Sequence, residues 1–149
     1  MKVMVIATAS QALEAGVMPS AEEFAAMDKF NEELINAGIL LDGTGLKPSS
    51  SGARVRFSGS NRTVINGPFA ETTEVIAGFS IWKVSSLQEA IDWVKKAPNF
   101  RSDNHDVEIR PLMEPEDFAG MVSPERIAEV KELEAQAGDR DGYGLARFK

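Results

Sequence analysis

Val64-Ile65-Asn66-Gly67-Pro68-Phe69-Ala70-Glu71-Thr72-Thr73-Glu74-Val75-Ile76-Ala77-Gly78-Phe79 is the stretch on which the fold turns. It sets an Asn-Gly-Pro turn signal between two β-patterned runs, since Asn and Gly tolerate left-handed backbone and Pro fixes φ. Upstream, Arg54-Val55-Arg56-Phe57 alternates charged and apolar side chains. That pattern predicts a strand with Val55 and Phe57 facing in and the arginines out. Gly59-Ser60-Asn61-Arg62 turns the chain, and Thr63-Val64-Ile65 returns as a hairpin partner. Downstream, Gly78 to Val84 reads as a further strand.

Outward from the hairpin, strands and helices alternate. Val3 to Thr8 is β-branched and apolar, a buried strand, and residues 9–19 form a loop with Gly16 and Pro19. Ser20 then caps a helix with Glu23 at capping-box spacing. Phe24, Met27, Phe30, Leu34 and Ile35 give that helix one apolar face, and Gly38 is placed to end it. Ile39-Leu40-Leu41 begins a second strand that runs toward Leu46, and residues 47–52 are a polar loop. Ser86 caps another helix, with Leu87, Ala90, Ile91 and Val94 as its buried stripe. Val107 to Pro111 is the last alternating strand.

The order strand, helix, strand, hairpin insert, strand, helix, strand is a split β-α-β arrangement, which predicts an α+β ferredoxin-like plait. Its two helices cover one face of the sheet. The other face, with Thr8, Phe57, Phe79 and Ile81, needs a cover, and a second copy packed sheet to sheet supplies one. The expected assembly is therefore a homodimer forming an α/β barrel. Past Pro111 the composition turns acidic. Ser123-Pro124 opens a third helix with a thin apolar edge of Ile127, Val130 and Leu133, and Gly138 stops it. The chain reads as one domain over 1–118 with a helical appendage over 119–149, whose tail carries Tyr143, Leu145 and Phe148.

Composition narrows the function classes. A chain of 149 residues, 43% hydrophobic, suits a single domain with a real core. A formal charge of −7 argues against nucleic acid as a partner. With no cysteine there is no thiolate chemistry and no zinc–thiolate site. No apolar run reaches the length of a membrane span. The apolar start, Met1 to Ile6, gives way to Ser10, Gln11 and Glu14 too soon for a signal peptide. The expected location is the cytoplasm.

Several residues carry candidate chemistry. Asn66 is a turn residue, or an amide at a cleft mouth that donates to and accepts from a ligand but cannot titrate. Glu71 and Glu74 are solvated, or a carboxylate pair; with no accompanying histidine pattern, no metal site is expected. His105, the only histidine, is an exposed loop imidazole or a base oriented by Asp103 or Asp106. Lys47, Arg54, Arg56 and Arg62 form a local positive cluster, with Arg54 and Arg56 on one strand face and Arg62 coming near them across the hairpin. That cluster is a solvated face, or an anion site with Ser49, Ser50 and Ser51. Gly43-Thr44-Gly45 opens no helix, so no dinucleotide loop and no cofactor is expected. Trp82 and Trp93 read as packing residues. If a site exists, Lys47, Arg54, Asn66, Phe69 and Glu71 converge on it, with His105 as a further candidate, and Phe69 anchors the turn by burial.

The stretch around Asn66-Gly67-Pro68-Phe69-Ala70-Glu71 resembles the signature of the YCII-related, or DGPF-motif, family, in which Asp-Gly-Pro-Phe-Ala-Glu precedes an apolar strand. Val17-Met18-Pro19-Ser20, Asn31 to Leu34, Gly52 to Phe57 and Glu108 to Pro111 share the likeness, which covers about residues 1–118. Asn66 stands where the family has aspartate, and Thr73 where lysine is common. The resemblance implies a dimeric α+β barrel. In function it implies a small-molecule binder or a cofactor-free enzyme with a pocket near the Asn-Gly-Pro-Phe turn; the converging Lys47, Arg54, Asn66 and Glu71, with no phosphate loop, favour a small anionic or polar ligand over a nucleotide. The alternative it implies is a non-catalytic dimeric accessory module in transcription-linked regulation. The family's histidine–aspartate pair has no matching position here and is not carried over.

Overall fold

The computed structural model describes residues 1–69 and 75–138. Glu71, Thr73 and Glu74, and Tyr143, Leu145 and Phe148 of the tail, lie outside the described residues. The chain is α+β. A four-stranded antiparallel sheet is built from β1 (Lys2–Thr8), β2 (Leu40–Gly45), β5 (Ile76–Lys83) and β6 (Val107–Pro111). Their order across the sheet is β2-β5-β1-β6, which is consistent with a ferredoxin-like plait. A separate two-stranded hairpin, β3 (Ala53–Ser58) and β4 (Asn61–Asn66), is inserted between β2 and β5.

The helices form where their caps dictate. The loop after β1 contains a four-residue helix, α1 (Gln11–Glu14), whose first turn is closed by the Ser10 hydroxyl accepting from Leu13 N–H at 3.1 Å. Helix α2 (Ala21–Asn36) starts with the expected capping box: Ser20 Oγ accepts from Glu23 N–H, and Glu23 accepts from Ser20 N–H. It ends in a Schellman motif. Gly38, at φ 70°, donates to Ile35 O, and Ile39 N–H reaches back to Leu34 O at 2.9 Å. Leu34 and Ile39, the apolar pair that accompanies this cap, are both buried. Helix α3 (Leu87–Val94) begins at Ser86, whose hydroxyl accepts from Glu89 N–H. Leu87, placed by periodicity on its buried stripe, is exposed; Ala90 is buried, and Trp93 and Val94 pack on the core.

Alternation along the strands sorts the sheet into two faces. Val3, Val5 and Trp82 meet Phe30, Leu34, Ile39, Val84 and Ala90 in one buried cluster under the helices. The Phe30 ring lies between the indoles, 6.5 Å from Trp82 and 6.3 Å from Trp93. Met4, Ile6, Phe79 and Ile81, alternating with these, point to the opposite face, where Met4 pairs with Ile81 and Ile6 with Phe79. Asp42 and Glu108 flank that stripe on the neighbouring strands.

Beyond β6, a 3₁₀ turn at Pro115–Phe118 lies against α4 (Pro124–Gly138), and Lys131 pairs with Glu116. Among the described residues, no helix is long and apolar enough to cross a membrane.

Candidate functional site

A hollow of about 380 Å³ opens where the loop after β2 meets the start of β5. Its apolar lining includes Leu46, Phe69, Val75 and Ile76, and its cations are Lys47 and Arg54. The volume is at the lower end of ordinary small-molecule sites.

Local folding explains why these side chains meet. Pro48 leads into a 3₁₀ turn, Ser49–Ser51, that buries Ser49, the one buried polar side chain among the described residues. Ser49 is a knot of three contacts. Its N–H donates to Glu14 Oε1 at 2.9 Å, its hydroxyl donates to Glu14 Oε2, and the same hydroxyl accepts from Phe69 N–H at 2.9 Å. Gly67 passes directly over this turn: a Cβ there would lie 1.8 Å from the Ser49 carbonyl oxygen, so no side chain fits. Gly67 N–H donates to Gly52 O at 3.0 Å and extends the hairpin ladder by one bond. The Gly67–Pro68 peptide is cis. The turn thus delivers Phe69, half-buried, to the wall of the hollow, and the Arg54 guanidinium stacks 3.9 Å from the centre of its ring.

Of the residues expected at the site, Lys47, Arg54 and Phe69 line the hollow together. Asn66 does not. As the last residue of β4 it pairs with Ala53, while Arg54 pairs with Ile65. Successive residues point to opposite faces, so the Asn66 amide and the Arg54 guanidinium leave the ribbon on opposite sides. The same register corrects the placing of Arg62. It pairs with Phe57, not with an arginine, and stacks on that ring at 4.2 Å, on the face away from Arg54 and Arg56. Val55 and Phe57, expected to face in, are 51% and 70% exposed, because among the described residues no layer covers that face of the hairpin. Glu71 lies outside the described residues.

His105 stands in the loop before β6, its Nδ1 3.2 Å from Asp103 O. The loop is held by Arg101 instead. Arg101 grips both Asp103 oxygens, with Nε to Oδ1 at 2.8 Å, and Nη1 donates to Thr8 O at 2.8 Å. Thr8 pairs with Ile76, so Arg101 secures the sheet end beside the hollow. The guanidinium's hydrogen bonds draw the Asp103 carboxyl down from 3.8 to about 2, and the carboxylate in turn raises the Arg101 pKa. Glu14 was not singled out by sequence. It lies 35 residues from Ser49, and no local pattern links the two. Among the described residues, no group of three or more His, Asp or Glu side chains is arranged to hold a metal ion.

Comparison with known proteins follows the same outline. The YCII-related domain profile matches residues 1–114. The chain belongs to the YCII-related family. All residues lining the hollow, and the Glu14–Ser49 knot, fall inside the matched YCII-related domain, whereas α4 lies beyond it. An uncharacterised protein of Rhizobium meliloti (strain 1021) is 36% identical over 78 residues, covering 52% of this chain. The match spans 63% of that relative's length.

Proposed function

We propose that this YCII-related protein binds a small anionic metabolite, a carboxylate or phosphate ester, in the hollow between the β2 exit loop and Phe69. The observation that carries the reading is the Arg54 guanidinium placed over the Phe69 ring, 3.9 Å from its centre, with Lys47 lining the same apolar recess. A guanidinium fixed by stacking keeps its N–H edge free for a bidentate anion, and the apolar floor accepts the ligand's carbon skeleton.

Binding without turnover is the better-supported form. The Ser49 hydroxyl donates a hydrogen bond to Glu14 and accepts one from Phe69 N–H, which makes it a structural joint rather than a nucleophile. The dimeric barrel belongs to the same proposal: the stripe Met4, Ile6, Phe79 and Ile81 packs sheet to sheet against a second copy.

A panel of small mono- and dicarboxylates and phosphate esters, screened by thermal shift and then calorimetry, tests the ligand. At least one class raises the melting temperature of the wild-type protein, and Arg54→Ala weakens its binding at least tenfold. A ligand that binds Arg54→Ala as tightly as wild type removes the assignment.

A further inference from the structure

We propose that the ligand of the hollow carries two anionic groups and that Arg56 receives the second of them. The inference rests on the anion-site reading above and deepens it: the ligand is a short-chain dianion, of which a dicarboxylate is the simplest form.

The β3–β4 ribbon is inverted with respect to its own domain. Its register places Arg54 opposite Ile65 and Arg56 opposite Thr63 on one face, and Val55 opposite Val64 and Phe57 opposite Arg62 on the other. The arginine face is the one turned toward the body of the molecule. From it Arg54 reaches the Phe69 ring and lines the hollow, and Ile65 on the same face is half-buried while every other residue of the two strands is exposed. A ribbon that served only to cover its domain would lay its valines and Phe57 inward and its arginines in water. This one does the reverse.

Charge says what that inward face is for. Residues 43–70 hold Lys47, Arg54, Arg56 and Arg62 and no Asp or Glu, in a chain with 23 acidic residues. Among the described residues, neither Lys47, Arg54 nor Arg56 forms an ion pair. Residues two apart on a strand stand about 7 Å apart, close to the separation of the two carboxylates in an extended six-carbon diacid. One anionic end of such a ligand sits on Arg54 and Lys47 over the apolar floor. The other meets Arg56 at the rim, with the Thr63 hydroxyl across the ladder as a further donor. Once the first end is held, the second contact is intramolecular, so even an exposed guanidinium adds affinity.

Calorimetry of the full chain with adipate and with its monomethyl ester, a probe of the same length and one charge fewer, tests this. Wild type binds adipate about fivefold or more tightly than the ester, beyond the roughly twofold that two equivalent ends give by statistics. Arg56→Gln removes the preference and leaves ester binding within about twofold of wild type. Arg62→Gln, the same change of charge on the opposite face of the ribbon, keeps the preference. Equal binding of the two probes by wild type, a preference that survives Arg56→Gln, or one lost equally in Arg62→Gln overturns the second contact and leaves the anion site standing. Binding of neither probe by wild type overturns the anion-site reading and this inference with it.

Discussion

Ser49→Ala probes the joint that assembles the site. The substitution removes one hydroxyl with two duties, and the loss is calculable from the contacts. Phe69 N–H loses its acceptor at 2.9 Å, and Glu14 loses one of its two donors while keeping Ser49 N–H. A semi-buried amide left unpaired costs about 1–3 kcal/mol, and a hydrogen bond to a charged group is worth about 1.5–3 kcal/mol. Water reaches the half-buried Glu14, so the low end applies to the second contribution, and the sum is about 2.5–4.5 kcal/mol. Urea unfolding followed by tryptophan fluorescence measures it directly, because both indoles pack around Phe30. With a slope near 2 kcal/mol per molar urea, the midpoint falls by about 1–2 M. Glu14→Ala alone destabilises comparably by stranding Ser49 N–H and Oγ, and the double variant costs about 1–2 kcal/mol less than the sum of the two. Additive losses, or a Ser49→Ala effect below about 0.5 kcal/mol, would show that the three groups do not act as one joint.

Gly67→Ala drives a methyl into the Ser49 carbonyl, so it costs at or above the ~3 kcal/mol top of the usual overpacking range; a melting temperature equal to wild type refutes the close approach. Phe69→Ala costs about 2 kcal/mol, less than the ~3–5 kcal/mol of a fully buried phenylalanine, since its ring is half-buried and carries Arg54; denaturant titration checks the value. Carbon-13 NMR titration of the side-chain carboxyls finds Asp103 near 2, and Arg101→Gln returns it toward 3.8. Because the folded pKa is the lower one, the Arg101–Asp103 contribution is complete above about pH 4 and is lost as pH falls toward 2. An Asp103 titration unchanged by Arg101→Gln would place the cause elsewhere.

Caps and local periodicity were legible in the sequence because they act over three or four residues. Ser20 and Glu23 closed their box, Gly38 took its left-handed conformation, and Val107–Pro111 formed its strand. The element order likewise led to the antiparallel sheet. The hairpin's strands were legible but its environment was not: alternation at Val55 and Phe57 says which residues share a face, not whether anything lies beneath it. Lys47, Arg54 and Phe69 share a wall of the hollow, while Asn66 leaves the ribbon on the other side, a matter of register that depends on which residue stands opposite Ala53. Glu14 was illegible for a different reason. Its partner lies in a distant loop, and a glutamate in a polar stretch looks solvated until the chain closes on it.

The central position of β1 governs how the chain comes together during synthesis. Val3 faces Trp82 on one side and Pro111 on the other, so the earliest-made strand of the six waits for the latest before its second edge is closed. Until then, the β3–β4 ribbon is the most local strand pairing among the described residues. Distant pairings of this kind are slow to form and leave apolar edges bare in the meantime. A translation pause or premature stop ahead of Val107 therefore yields a species with the core strand half-paired, a natural client for chaperones and proteases.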